Sequence, residues 1–158
     1  MIRIGLGKDV HRLEAGRRFL LAGVHIPFEK GELGHSDGDV LAHAVTDALL
    51  GAAGLGDIGE LYPPNDPAWK DADSLLLLKN AWDQVRKCGW NLINIDCVVT
   101  CELPKVLPYR ERICQSLAQT LDVKIDQIFV KGKTNEGLDS IGVGKAVEAL
   151  AVCLIEKV

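Results

Sequence analysis

The segment from Asp39 to Ala53 constrains the fold most. Leu41, Ala44, Val45, Ala48, Leu49 and Ala52 recur three and four residues apart, which is one apolar stripe along a helix. A period-two run stands on either side of it. Residues 2–11 alternate through Ile2, Ile4 and Leu6, and Leu92–Cys101 alternates through Ile93, Ile95, Cys97 and Val99, each as a half-buried strand does. Strands and helices within 158 residues predict one domain, residues 1–158.

The remaining elements follow from local signals. Phe19–Leu21 and Val24–Ile26, separated by Ala22-Gly23, predict a short hairpin. Pro63, Pro64 and Pro67 stop any helix, so 54–70 reads as a loop, and a second helix follows at about 73–88. Pro108 suits the first turn of a helix carrying Ile113, Leu117 and Leu121, and Ile128 and Val130 lead a further strand. Val143 to Ile155 is apolar on both parities. Periodicity cannot separate strand from helix there, and the local reading leans to helix.

Composition excludes several classes. A net charge of -4 without a dense basic face argues against general nucleic-acid binding. No run reaches the roughly 20 apolar residues of a membrane span. The N-terminus lacks the basic, apolar, small order of a signal peptide, so the expected location is the cytoplasm, or a plastid if a transit peptide has been removed. Five cysteines with no C-x-x-C pair read as buried thiols.

Asp9 and His11, two apart on a strand, point to one face; alone, such a pair is also an ordinary solvated surface. Asp39, His43 and Asp47 fall four apart on the helix side opposite the apolar stripe, so His43 faces water or a site. Asp9, His11 and His43 together suit Zn²⁺ with a fourth position left open. Asp47 either orients His43 or is a solvated charge. His35-Ser36-Asp37-Gly38-Asp39 reads both as a helix cap and as a site segment. Gly56-Asp57-Ile58-Gly59 lets backbone approach a ligand while Asp57 accepts from hydroxyls. Pro104-Lys105 places a cation between prolines, and Lys131 to Glu136 joins cations, a hydroxyl, an amide and a carboxylate that suits a hard cation.

Asp9-Val10-His11, His35 to Asp39, His43 with Leu49-Leu50-Gly51-Ala52, Gly56 to Gly59 and Pro104-Lys105 closely resemble the 2-C-methyl-D-erythritol 2,4-cyclodiphosphate synthase family, in order and spacing along nearly the whole chain. The resemblance implies a fold of the α+β class, a mixed β-sheet packed against α-helices with a strand at the C-terminus, and it decides that segment against the local lean. It implies a homotrimer with active sites at subunit interfaces. The implied reaction closes 4-diphosphocytidyl-2-C-methyl-D-erythritol 2-phosphate to the cyclodiphosphate, releasing CMP, in the non-mevalonate isoprenoid pathway.

By position, the resemblance makes Asp9, His11 and His43 ligands of one Zn²⁺ per subunit and Glu136 the ligand of a second divalent cation, Mg²⁺ or Mn²⁺. His35 and Thr134 correspond to the residues that steady the transition state. Ser36 lies beside phosphate; Asp57, Ile58, Gly59, Tyr62, Asn65 and Asp66 correspond to ribose and methylerythritol contacts. Cys101, Pro104, Lys105, Val106 and Leu107 wall the cytosine, and Lys133 and Asn135 border the diphosphate. Tyr62, Pro64, Lys133, Asn135, Val143 and Lys145 depart from the commonest family residues. Val143 lacks the guanidinium of the trimer-axis cavity, so that cavity's ligand is not carried over. Two other readings compete: a zinc hydrolase whose open metal position activates water, and a non-catalytic trimeric module with a structural metal.

Overall fold

The computed structural model describes residues 1–157. Strands β1 (Ile2–Ala15), β4 (Lys30–Leu33), β5 (Asn91–Thr100), β6 (Ile128–Lys133) and β7 (Ala146–Glu156) form one sheet in the order β4-β1-β7-β5-β6, and β2 (Phe19–Leu21) pairs with β3 (Val24–Ile26). β5 and β6 are parallel; the other pairs are antiparallel, so the sheet is mixed. Helices α1 (Val40–Ala53), α3 (Ser74–Lys87) and α4 (Arg110–Leu121) supply most of the apolar side chains that meet it, while α2 (Ile58–Leu61) and α5 (Asp139–Gly142) are single turns.

The C-terminal segment is strand β7, against the local lean to helix. β7 is the middle strand, paired with β1 on one side and β5 on the other. Val147, Ala149, Ala151, Cys153 and Ile155 are buried against the helices, and Leu150 and Leu154 on the other face are half-buried, which produces the two-parity apolar run. The 54–70 segment is less irregular than its prolines suggest. Asp57 caps α2, its carboxylate accepting from Glu60 N, and Asp66 caps a 3₁₀ turn at Pro67–Trp69. Pro108 likewise lies in a 3₁₀ turn, Leu107–Tyr109, just ahead of α4.

Two periodic readings shift in detail. In β5 a register break between Leu92 and Asn94 puts Leu92, Ile95, Cys97 and Val99 inside and leaves Ile93 half-buried. In β1 the alternation holds, but the helix-facing parity is Gly5, Gly7, Asp9, His11 and Leu13. Ile2, Ile4, Leu6 and Val10 lie on the opposite, exposed face, Ile4 being 71% exposed. Four of the five cysteines are buried and all five are free thiols; Cys88 is exposed. No helix among the described residues is long and apolar enough to cross a membrane.

Candidate metal centre and adjoining cavities

α1 is buried nearly all round, because it is packed between the sheet and α3. Its approach to β1 depends on glycine: a Cβ on Gly7 would strike the Ala44 carbonyl oxygen, and one on Gly5 the Ala48 carbonyl oxygen. Next along the same face of β1 come Asp9 and His11, and next toward the start of α1 comes His43.

The structure brings those three together. His11 Nε2 lies 2.8 Å and His43 Nδ1 3.0 Å from Asp9 Oδ2, and the two nitrogens are 3.2 Å apart. A tetrahedral Zn²⁺ site with bonds of about 2.05 Å has ligand atoms roughly 3.3 Å apart, so a cation fits this triangle with a small expansion. It is the one such cluster of three or more among the described residues. Two imidazole nitrogens and one carboxylate oxygen are a donor set that Zn²⁺ accepts readily.

The outer nitrogens are also held. His11 Nδ1 meets the Leu33 carbonyl oxygen at 2.8 Å, so it carries the proton and Nε2 is turned to the triangle. Burial pushes the Asp9 carboxyl up, but hydrogen bonds from His11 and His43 outweigh it and bring the pKa down to about 2. Burial lowers the His11 pKa, yet the hydrogen bond to Asp9 reverses this and raises it. A divalent cation entering the triangle displaces the protons shared there.

Asp39 and Asp47 do other work than their helix spacing suggests. Asp39 is buried; its carboxylate accepts from Ala22 N, Gly23 N and Ala42 N, anchoring the β2–β3 turn to the start of α1. Asp47 neither orients His43 nor stands free in solvent. Its Oδ1 accepts from Ile58 N at 2.8 Å and so pins the glycine-rich turn beside the metal site.

The triangle opens into a cavity of about 250 Å³ lined also by His35, Ser36, Ile58, Gly59, Tyr62, Pro64, Trp69 and Leu77. His35 Nε2 lies 3.2 Å from the Asp66 carbonyl oxygen. Tyr62 donates to the Leu77 carbonyl oxygen at 3.0 Å and meets Trp69 edge-on at 5.0 Å between ring centroids. Trp69, Leu77 and Ser74, whose hydroxyl lies 2.8 Å from His43 Nε2, carry no site signal in the sequence. Trp69 comes from the loop before α3, Ser74 and Leu77 from the first turns of α3 itself, and only the fold brings them beside His43 and β1.

A second cavity, about 160 Å³, is lined by Cys101, Pro104, Lys105, Val106, Leu107, Gly132, Lys133 and Thr134. Cys101 Sγ donates to the Pro104 carbonyl oxygen, and Cys101 N to that of Lys133, closing the wall. Thr134 Oγ1 donates to Glu136 Oε1 at 3.1 Å, and Asn135 N to Glu102 Oε1 at 2.8 Å. Asp57, Asn65, Asp66, Asn135 and Glu136 line neither cavity. Val10 is level with Glu148, Thr100 and Lys133 across β1, β7, β5 and β6. Three strand spacings, about 14 Å, therefore separate the metal triangle from the Thr134 loop within one chain.

A protein named 2-C-methyl-D-erythritol 2,4-cyclodiphosphate synthase from Treponema denticola is 58% identical over 154 residues, covering 98% of this chain and 96% of its own length. The like-named protein of Gloeobacter violaceus is 53% identical over 156 residues, covering 99% and 96%. The solved bifunctional IspDF of Campylobacter jejuni superposes with a TM-score of 0.97 at 46% identity; the match takes in all of this chain and 43% of that one. A CDP-bound cyclodiphosphate synthase superposes at 0.89 with 44% identity, covering 98% of this chain and all of the other. With the sequence model of the YgbB family matching residues 2–156, the chain belongs to the YgbB family.

Proposed function

We propose that the chain converts 4-diphosphocytidyl-2-C-methyl-D-erythritol 2-phosphate to 2-C-methyl-D-erythritol 2,4-cyclodiphosphate and CMP, in the non-mevalonate isoprenoid pathway. The observation that carries the reading is the Asp9–His11–His43 triangle at the mouth of a cavity walled by Ser36 and the Ile58-Gly59 turn. The names of the relatives and the cytidine nucleotide in a solved one support it.

The reaction needs no enzyme nucleophile. The 2-phosphate oxygen attacks the β-phosphorus of the same molecule, the bond to the bridging oxygen breaks, and CMP leaves with that electron pair. The chain's task is then to fold the substrate for in-line attack and to offset charge at phosphorus. Zn²⁺, bound by Asp9, His11 and His43, would supply a Lewis acid for a β-phosphate oxygen. His35 donates to the phosphoryl oxygens as charge builds, Thr134 does so by turning its hydroxyl away from Glu136, and Ser36 holds the phosphate between them. Ile58 and Gly59 offer backbone to the methylerythritol, with Asp57 at the ribose. Tyr62, Asn65 and Asp66 belong to the loop that closes over it. Pro104, Lys105, Val106, Leu107 and Cys101 receive the cytosine, while Lys133 and Asn135 meet the diphosphate and Glu136 would hold Mg²⁺ or Mn²⁺, which would supply charge neutralisation there.

A homotrimer reconciles this assignment with the distance across the sheet. A single chain holds its metal triangle about 14 Å from its own Thr134 loop, so the cytidine wall of one subunit serves the metal of its neighbour. The exposed apolar row Ile2, Ile4, Leu6 and Val10, with Val152 and Phe129, supplies a face to bury between copies.

The test is product analysis by mass spectrometry with the cytidine substrate, beside metal analysis. The cyclic diphosphate and CMP are expected from wild type, while Asp9→Ala and His43→Ala should lose zinc and nearly all turnover with the trimer intact. A linear product or free phosphate would show hydrolysis instead, and turnover by a zinc-free variant would refute the metal's role.

A further inference from the structure

His43 presents Nδ1 to the triangle, so its other nitrogen decides whether that lone pair is available. Two hydroxyls face Nε2: Ser74 Oγ at 2.8 Å and Ser36 Oγ at 3.0 Å. Behind Ser74 stands Asp37. Asp37 Oδ2 accepts from Ser74 N at 3.0 Å, and Oδ1 accepts the Ser74 hydroxyl in a short hydrogen bond. Ser74 is 1% exposed, so its hydroxyl has no solvent to turn to.

A serine hydroxyl has one proton. With that proton given to Asp37, the Ser74 oxygen can only accept, and the group opposite it must donate. We infer that Ser74 and Asp37 are positioning residues for the metal site: the relay Asp37–Ser74–His43 keeps a proton on His43 Nε2, so that Nδ1, whose contact with Asp9 shares a proton in the metal-free protein, is the nitrogen that a divalent cation takes. The inference rests on the metal reading of Asp9, His11 and His43. It parallels the Leu33 carbonyl behind His11, but uses a hydroxyl whose polarity is set by a carboxylate.

The proton count also reaches Ser36. Because His43 Nε2 carries a proton, Ser36 has no call to donate to it. The Ser36 hydroxyl accepts from Gly38 N at 3.4 Å and lies 3.3 Å from Ser74 Oγ, which on this count can only accept, so the Ser36 proton rests there until an acceptor such as a phosphate oxygen enters the adjoining cavity. Ser36 cannot replace Ser74, since no carboxylate behind it enforces the direction of the bond.

A purely structural role for the pair is the competing explanation, because Asp37 also accepts from Asp39 N and so ties the start of α1 to the start of α3. Ser74→Ala separates the two: it keeps the Ser74 backbone N–H on Asp37 and deletes only the hydroxyl. In metal-free wild type, long-range ¹⁵N–¹H correlation should find His43 protonated at Nε2. Zinc titration against a chromophoric chelator should show Ser74→Ala binding about 10- to 100-fold more weakly than wild type, with the urea midpoint of the metal-free protein nearly unchanged. Ser74→Thr, which keeps a hydroxyl, should recover most of the affinity. A bare Nε2 in wild type overturns the relay, as does equal zinc affinity in Ser74→Ala when wild type binds zinc. A wild type that takes up no zinc overturns the metal reading and the relay with it.

Discussion

Glu32 on β4 is a carboxyl with no exposure to solvent. Its Oε2 accepts from Leu20 N at 2.9 Å, its Oε1 has no partner, and Asp39 and Asp37 add like charge nearby. Burial is the chief cause that pushes its pKa from 4.5 to about 9. Between those values the unfolded chain ionises this group while the folded chain keeps the proton, so stability falls as pH rises, by about 1.4 kcal/mol per pH unit. From pH 4.5 to pH 7 the loss accumulates to about 3 kcal/mol; below 4.5 both states are protonated and the loss vanishes. Glu32→Gln preserves the acceptor for Leu20 N and removes the ionisation. Urea denaturation of both metal-free proteins from pH 5 to pH 8.5 should show the variant gaining on wild type as pH rises. Titrating groups remote from Glu32 cancel in the difference, and Asp39 and Asp37 face a neutral side chain at position 32 in both folded proteins for as long as Glu32 keeps its proton. A gap that stays constant with pH would mean that Glu32 is ionised inside the fold, and the reasoning would fail.

Two further perturbations probe the site and its frame. Gly7→Ala drives a methyl into the Ala44 carbonyl and should cost at least about 1–3 kcal/mol together with zinc affinity, whereas Gly51→Ala, on an exposed turn of the same helix with open space around it, should be neutral or stabilising by up to about 1 kcal/mol; melting curves with zinc titration check both, and equal effects at the two positions would refute the seam argument. Lys105→Ala should raise KM for the cytidine substrate several-fold with kcat little changed, measured by steady-state CMP release; an unchanged KM would remove Lys105 from the cytidine wall.

The elements with a sustained period were legible: α1, α3 and the strands β1 and β5 follow from side-chain spacing alone, but not which face of β1 turns inward, nor the register break that takes Ile93 out of the β5 parity. The rest turned on tertiary context. β7 is apolar on both faces because it is central, so its pattern matched a buried helix equally well locally, and the family resemblance decided it. The short turns α2 and Pro67–Trp69 are too brief to show a period, and only their caps, Asp57 and Asp66, hinted at them. The metal triangle was readable in part: Asp9 and His11 share a strand face, His43 stands off the apolar stripe of α1, and the family resemblance joined the three. Asp47 and Ser74 were not, since each acts on a segment that the fold, not the chain, places beside it.

The apolar parity of β1 shows how the site and the fold are coupled. Ile2, Ile4 and Leu6 invite an inward reading, yet that parity faces out, because the inward one must be nearly empty for α1 to approach. Running along the seam, Gly5 meets Ala48, Gly7 meets Ala44, and then Asp9 meets His43. Glycine opposite alanine sets the separation of strand and helix, and the first pair of positions with functional side chains inherits it. The triangle of 2.8–3.2 Å is therefore a consequence of packing several residues away, established before any cation arrives. On the metal reading, residues that would never touch the ion, along the seam and behind His43, govern how well the triangle would hold it. The small side chains of α1 that mark it as a core helix are the same ones that position its histidine.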